Sequence, residues 1–358
     1  MAATVFLIEA SKKLPEAELS RRIGLVYQRL GPENLIEKGD LTAVKIHFGE
    51  QGTTGYIKPA WLTAVVDDLK KRKVRAFWTD TNTLYVGRRS NAVEHLQLAQ
   101  GHGFSLERTR LPVLIADGLI GRDGLEFSVD LPRVKTAKIA RAFAEADAFV
   151  CLSHFTGHIL TGFGAALKNL GMGCASRQGK LEQHSDVHPW IDSEKCIKCL
   201  RCLPGCPTGA LQELEESVAI QDEHCIGCGE CLVLCQTDAV RMQWDREESR
   251  VQEKMAEYGL SVHRLFKGKA LYINVILDIT KDCDCMSQNS HKIAEDIGIA
   301  GSLDPVALDQ ASVDLVLKKC EADVLREANP PDWRHQLEHA EKIGLGSRSY
   351  ELVALNAD

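Results

Sequence analysis

Cys196-Ile197-Lys198-Cys199-Leu200-Arg201-Cys202-Leu203-Pro204-Gly205-Cys206-Pro207 is followed by Cys225-Ile226-Gly227-Cys228-Gly229-Glu230-Cys231-Leu232-Val233-Leu234-Cys235-Gln236. Both are C-x2-C-x2-C-x3-C runs, the spacing that wraps one tight loop around a cubane [4Fe–4S] cluster. Three closely spaced thiolates reach three irons of one cube. The fourth, at the start of a helix pointing away, reaches the neighbouring cube. The expected ligand sets are therefore crosswise: Cys196, Cys199, Cys202 and Cys235 for one cluster, and Cys225, Cys228, Cys231 and Cys206 for the other.

Two other readings compete. Zinc takes four ligands, usually as two C-x2-C pairs, and two runs of four overshoot that need. A disulfide framework requires an oxidising compartment, which nothing in the sequence indicates. Residues 189 to 245 resemble the two-cluster bacterial ferredoxins. The proline after the fourth cysteine is present as Pro207 in the first run, but Gln236 replaces it in the second. That changes a turn and removes no ligand.

The chain has 358 residues, several times what such a unit needs, with 44% hydrophobic and 26% charged residues. A formal net charge of -7 argues against nucleic acid, because binding phosphates needs a basic face. No apolar run is long enough to span a bilayer, and the N-terminus shows neither a basic n-region nor an apolar h-region. The thirteen cysteines then read as metal ligands in a cytoplasmic, soluble protein.

Outside the cysteine runs, short apolar stretches alternate with amphipathic ones. Strands are expected at 5–8, 41–48, 74–78, 112–115, 148–152 and 270–277. Helices are expected at 16–30, 59–71, 91–100, 136–146, from about 250 to Gly259, at 305–319 and at 333–343. Alternation of this kind implies an α/β fold with a mostly parallel sheet and flanking helices. Because it stops and resumes, the cysteine unit reads as a small α+β two-cluster ferredoxin-like insertion. The expected division is 1–187 for the first part of the α/β domain, 188–245 for the insertion, and 246–358 for the second part.

Ligands of open parallel sheets bind beyond the carboxyl ends of the strands. Polar clusters fall there: Lys45 and His47, Asp80 to Tyr85, and Ser153 to His158. The glycine- and threonine-rich run from His154 to Cys174 suits a loop that approaches a ligand closely, before a short helix; a demanding connection with satisfied histidines is the plainer reading. Cys283 and Cys285, two apart on an extended segment, face the same side. They can chelate a soft metal or close on a substrate, completing a third site with Cys174, His154 or His158; otherwise they are two reduced thiols in a loop. Lys45, Lys168 and Asn169 are candidates for holding an anionic group, and His47 and His154 for donating protons. Cys151 and Cys320 read as small apolar core residues.

The order of motifs also resembles the family catalogued as domain of unknown function 362. The resembling stretches are residues 45–50, 80–85, 116–118, 154–174, 283–285 and 304–309, spread over nearly the whole chain. The resemblance implies an iron–sulfur protein with an inserted two-cluster unit and leaves its activity unassigned. Two functional readings result. One is a reductase whose two clusters take single electrons from a redox protein and pass them to a small molecule or metal at the carboxyl edge, using His47, His154, His158, Lys168, Cys174, Cys283 and Cys285. The other is a non-enzymatic electron carrier, or a cluster- or metal-handling protein, that docks a partner through its large domain.

Overall fold

The computed structural model describes residues 2–84, 87–184, 189–206, 208–225, 231, 234–237, 239–242, 248–285 and 290–357. Tyr85, Pro207, Cys228 and the expected boundaries at 187/188 and 245/246 lie outside the described residues.

One eight-stranded sheet organises the chain. Its strands are β1 (Ala3–Glu9), β2 (Leu41–Lys45), β3 (Arg75–Asp80), β4 (Val113–Ile115), β5 (Ala148–His154), β6 (Ala270–Ile276), β7 (Gly298–Ser302) and β8 (Tyr350–Ala354). The spatial order is β8-β1-β7-β6-β5-β2-β3-β4. Pairing is parallel from β6 through β4 and between β1 and β8. Only β7 runs against both of its neighbours. The mostly parallel α/β fold is the one expected from the alternation. β7 and β8 were not expected: in Gly298-Ile299-Ala300-Gly301-Ser302 every residue but Ile299 is glycine or small, which carries little strand propensity, and Val26 packs where a Cβ on Gly301 would sit.

The central strands are buried on both faces, and their side chains alternate between two cores. From β6, Leu271, Ile273 and Val275 join one core with Ile23, Val26, Val65 and Leu69. Tyr272 and Ile276 join the other with Leu167, Leu170, Ala256, Val313 and Leu337. The first core lies under α1 (Glu16–Arg29) and α2 (Thr63–Lys71). The second lies under α4 (Ala166–Gly171), α6 (Glu248–Leu265), α7 (Pro305–Cys320) and α8 (Arg334–Lys342). Two further helices lie outside these layers: α3 (Ala92–Gly101) packs against the edge strand β4, and α5 (Arg177–His184) packs against α6.

One expected helix is wrong. Residues 136–146 form a strand, Thr136–Ala140, and only one helical turn, Arg141–Ala144. The strand pairs antiparallel with Gly124–Ser128, with Ala137 and Ile139 facing the core and Thr136 and Lys138 half exposed. That alternation has a period of two, which the helical reading overlooked. The helix expected to end near Gly259 instead runs to Leu265, because a glycine packed against the core is tolerated inside a long helix.

Between α5 and α6 the chain leaves the sheet. Among the described residues, 189–242 contribute no strand to it; they form two small antiparallel pairs, Pro189–Ile191 with Val240–Met242 and Leu211–Glu213 with Val218–Ile220.

The buried carboxylate of Asp309 on α7 ties the second core to α4. It accepts hydrogen bonds from the Ala166 and Leu167 amides at 3.0 and 2.8 Å and from Asn274 Nδ2 at 2.8 Å. Burial pushes its pKa up to about 6 despite these donors. With the folded value above the unfolded one, its contribution is fully present below about pH 4 and is lost as pH rises through about 6. Asp309→Asn is expected to flatten stability against pH over that window, as read from denaturant midpoints.

Candidate functional site

The carboxyl ends of β2, β3 and β5 deliver Lys45, Asp80 and His154 to one edge of the sheet. Lys45 Nζ stands 2.9 Å from Asp80 Oδ1, with the two side chains 1% and 5% exposed. The ammonium also donates to Asn169 Oδ1. On the far side of Asp80 come Arg89 Nη1 at 3.8 Å and His95 Nε2 at 3.9 Å. Burial lowers the Asp80 acidity, but Lys45, His47, His95 and Arg89 outweigh it and hold the carboxyl well below its ordinary range. His95 is neutral, since burial pushes it down to about 3.

Arg89 links this pair to its surroundings: its Nε donates to Glu50 Oε2 at 3.0 Å, and its Nη1 lies 2.8 Å from His47 Nε2. Burial first, then the Arg89 charge, puts the His47 pKa well below normal. The ring sits in place as a neutral imidazole, with Gly49 N–H donating to Nδ1 at 3.0 Å. Nearby, Asn82 donates twice to Asp117 Oδ1, from N and Nδ2, both at 2.9 Å. Lys180 donates to Thr81 Oγ1 and to Asn82 O. Burial drives these two groups toward neutrality, Asp117 up to about 6 and Lys180 down to about 8.

A second group of side chains gathers around residues 283–285. Asp284 Oδ2 lies 2.8 Å from His154 Nδ1, while His154 Nε2 donates to Leu277 O at 2.6 Å. Burial opposes the charged ring, but Asp284 more than compensates and the His154 pKa is raised. Both ring nitrogens are thus engaged, Nδ1 with the Asp284 carboxylate and Nε2 with a backbone carbonyl. Lys168 Nζ lies 3.7 Å from Cys285 Sγ, and burial followed by the Arg89 charge pulls its pKa down to about 7. His158 is 9% exposed and brings one ring nitrogen within 4.8 Å of both cysteine sulphurs.

Cys283 and Cys285 are joined as a disulfide across a Cα–Cα distance of 5.3 Å. The sequence reading had them reduced. The segment turns at Asp284 and Cys285 instead of extending, and the turn brings the two sulphurs within bonding reach.

The structure therefore brings His154, His158, Lys168, Cys283 and Cys285 together. Cys174 stands apart: it is buried, with its Sγ 3.7 Å from Asn169 O. Cys151 is buried in β5, and Cys320 is the last residue of α7. Arg89, His95, Arg177 and Lys180 were missed by sequence reasoning. They lie on loops and on a polar helix, with no periodicity that distinguishes a buried cation from a solvated one. Arg177 is 1% exposed and donates to the carbonyls of Thr83, Ser90 and Ile120, bracing the loops around Asp117.

The loop carrying the C-x-C pair rests on a bare backbone. Gly157 N donates to Thr280 O at 2.8 Å, and Asn329 Nδ2 donates to Lys281 O at 2.9 Å. A Cβ on Gly157 would run into the Lys281 carbonyl and Asn329 Nδ2. Gly157→Ala is expected to cost about 1–3 kcal/mol through overpacking and to displace residues 281–285, measurable as a lower denaturation midpoint together with faster labelling of the reduced cysteines.

The cysteine runs share a 29-residue repeat that extends past the cysteines. Asp192, Cys196, Cys206, Thr208 and Ala210 correspond to Gln221, Cys225, Cys235, Thr237 and Ala239. Asp192 N donates to Ala239 O, and Gln221 N donates to Ala210 O, both at 2.8 Å. Cys196 N donates to Asp192 O, and Cys225 N to Gln221 O, both at 3.1 Å. The entry to each run is thus paired with the exit of the other. The positive φ of Lys198 (50°) and Leu200 (59°) curls the first loop around Cys199.

Burial raises the Cys202 thiol, and the next charges to act on it belong to Cys199, Cys196 and Cys235, so those four sulphurs share a locality. Cys206 Sγ accepts from Ala210 N at 3.2 Å, and Thr208 and Thr237 hydroxyls lie 3.6 and 3.8 Å from Cys206 and Cys235 Sγ. Soft sulphur donors with amide and hydroxyl support suit a thiolate-held iron–sulfur cluster. Arg122 Nη2 donates to Gly205 O at 3.2 Å, joining the first run to the loop after Asp117.

Comparison with family models matches residues 42–314 to the family described as Domain of unknown function (DUF362). No curated protein matches the chain. Among solved structures, a Thermotoga maritima protein is 11% identical with a TM-score of 0.46, covering 88% of this chain and 60% of that one. The lactate racemase apoprotein from Thermoanaerobacterium thermosaccharolyticum is 14% identical with a TM-score of 0.40, covering 89% and 56%. The chain spans less than two thirds of the length of either structure.

Proposed function

The chain belongs to the DUF362 family, and from that premise we propose that it is an iron–sulfur electron-transfer protein acting as a reductase. Cys196, Cys199, Cys202 and Cys235 would hold one [4Fe–4S] cluster, and Cys225, Cys228, Cys231 and Cys206 the other. Each such cluster supplies one electron at a time. The observation that carries the reading is the cross-pairing of the two runs, Asp192 with Ala239 and Gln221 with Ala210. It supports an exchange of fourth ligands between the runs, as does the influence of Cys235 on Cys202 alongside Cys196 and Cys199.

The destination of the electrons is proposed to be a small molecule or a metal at the carboxyl edge of the sheet. The loop that carries Asp117 and Arg122 supports this, since it contacts both the polar edge and the first cysteine run. Lys168 and His158 are the side chains available there to position an acceptor, and a soluble redox protein would be the donor.

A second reading is that the protein is an electron carrier which docks a partner without turnover. Trp190 and Ile197 favour it, being 46% and 63% exposed beside the first run. Among the described residues no helix is long and apolar enough to cross a membrane.

Anaerobic purification with iron and acid-labile sulfide analysis tests the cluster assignment. About eight irons and eight sulfides per chain are expected for two cubes, with visible absorbance that bleaches on reduction. A colourless protein with zinc in place of iron would overturn it. Oxidation of the reduced protein by a bound small molecule, against oxidation only by a partner protein, separates the two readings.

A further inference from the structure

We propose that Cys283, Cys285 and His158 form a binding site for a zinc-class divalent metal, opened when the disulfide between the two cysteines is reduced. The two sulphurs and one imidazole nitrogen all lie within 4.8 Å of one another. Two thiolates and an imidazole are a donor set suited to zinc and softer ions, and three protein ligands leave a fourth position open.

The histidine is held in place by its own loop. Leu160 N–H donates to His158 Nδ1 at 3.3 Å, and the Thr161 hydroxyl, 2.8 Å from the same nitrogen, donates to Phe163 O at 2.7 Å. Outer contacts of this kind fix the orientation of a metal-ligating histidine ring. Asp284, between the two cysteines, is occupied by His154 and does not compete as a ligand.

The ligands come from two segments fixed to each other. His158 ends the strand Thr156–His158, and Gly157 of that strand donates to Thr280 O at the base of the cysteine loop. Lys168 Nζ, 3.7 Å from Cys285 Sγ, stands beside the open position. There it can hydrogen-bond to the thiolate or to an anion that completes the coordination.

The chemistry balances in two stages. Two electrons and two protons cleave the S–S bond and yield two thiols. A divalent ion then displaces both thiol protons and forms two metal–sulphur bonds. This deepens the electron-transfer reading and rests on it for the source of the two electrons in the cell, but the ligand set is independent of the clusters.

The test uses the full-length, cluster-loaded protein under anaerobic conditions, with and without a phosphine reductant. Each sample is dialysed against zinc, and zinc and iron are counted together. Reduced wild type is expected to bind about one more zinc per chain than a Cys283→Ser/Cys285→Ser variant, while the untreated forms bind equally. His158→Ala is expected to lower zinc affinity at least about tenfold, since it removes one of three protein ligands. Equal zinc uptake by the reduced wild type and double variant would overturn the site, as would an affinity indifferent to His158. Should the double variant not fold, zinc X-ray absorption on reduced wild type decides, since a shell without two sulphurs also overturns it. The iron count reports separately on the clusters, so zinc uptake in an iron-free protein would sink the electron-transfer reading and leave the metal site standing.

Discussion

Replacing Cys235 with alanine is expected to remove about four of eight irons, and adding Cys196→Ala should remove no more. Replacing Cys235 and Cys206 together should remove all of them. These outcomes follow from the exchange of fourth ligands between the two runs. If each run instead served its own cluster, the pair at Cys196 and Cys235 would also abolish all iron, and that result would overturn the crosswise assignment. Iron and sulfide analysis of the three variants, with electron paramagnetic resonance of the reduced proteins, distinguishes the two patterns. The cross-pairing of Asp192 with Ala239 and of Gln221 with Ala210 is what makes the first pattern the expected one.

Asp80→Ala should be among the most destabilising single changes in the large domain, at about 3–5 kcal/mol. It leaves the Lys45 ammonium, 1% exposed and formerly 2.9 Å from a carboxylate, without its counter-charge. Arg89 also loses a nearby anion. The cost lies in the uncompensated buried charge more than in the lost attraction. Adding Lys45→Met to Asp80→Ala should therefore recover part of the loss, and a double variant as unstable as the single one would refute the explanation. Because the folded pKa of Asp80 is depressed, its stabilising contribution is present above about pH 4 and is lost as pH falls toward the folded value. Denaturant midpoints measured at neutral pH and down the acid limb check the magnitude and the sign.

The two predictions draw on different kinds of information in the chain. Strand positions such as Ala148–His154 and Ala270–Ile276 were legible because doubly buried parallel strands leave unbroken β-branched and apolar runs. The hairpin at Thr136–Ala140 was not, since five residues with two alanines satisfy a helical and an extended pattern almost equally. Gly298–Ser302 was missed for a related reason: it joins the sheet through its backbone and through close packing where side chains are absent.

The candidate site divides the same way. Lys45, Asp80 and His154 were identifiable because polar residues closing apolar strands are out of place in a core. Arg89, His95 and Lys180 gave no such signal. Each is a common surface residue type on a loop or polar helix, and its burial comes from segments distant in sequence.

By itself, the sequence determined the alternating strands and helices, the eight-cysteine pattern and the residues placed at the strand ends, because each depends on spacing over a few residues. Tertiary structure alone decided which entry strand meets which exit in the cysteine repeat. It also decided that Asp80 is enclosed by cations, and that His158 from one hairpin faces Cys283 and Cys285 from a loop more than a hundred residues away. The physical reason is that a buried charge or a ligand set is defined by distances of a few ångströms between segments. Local propensity carries no record of those distances until the sheet has brought the segments together.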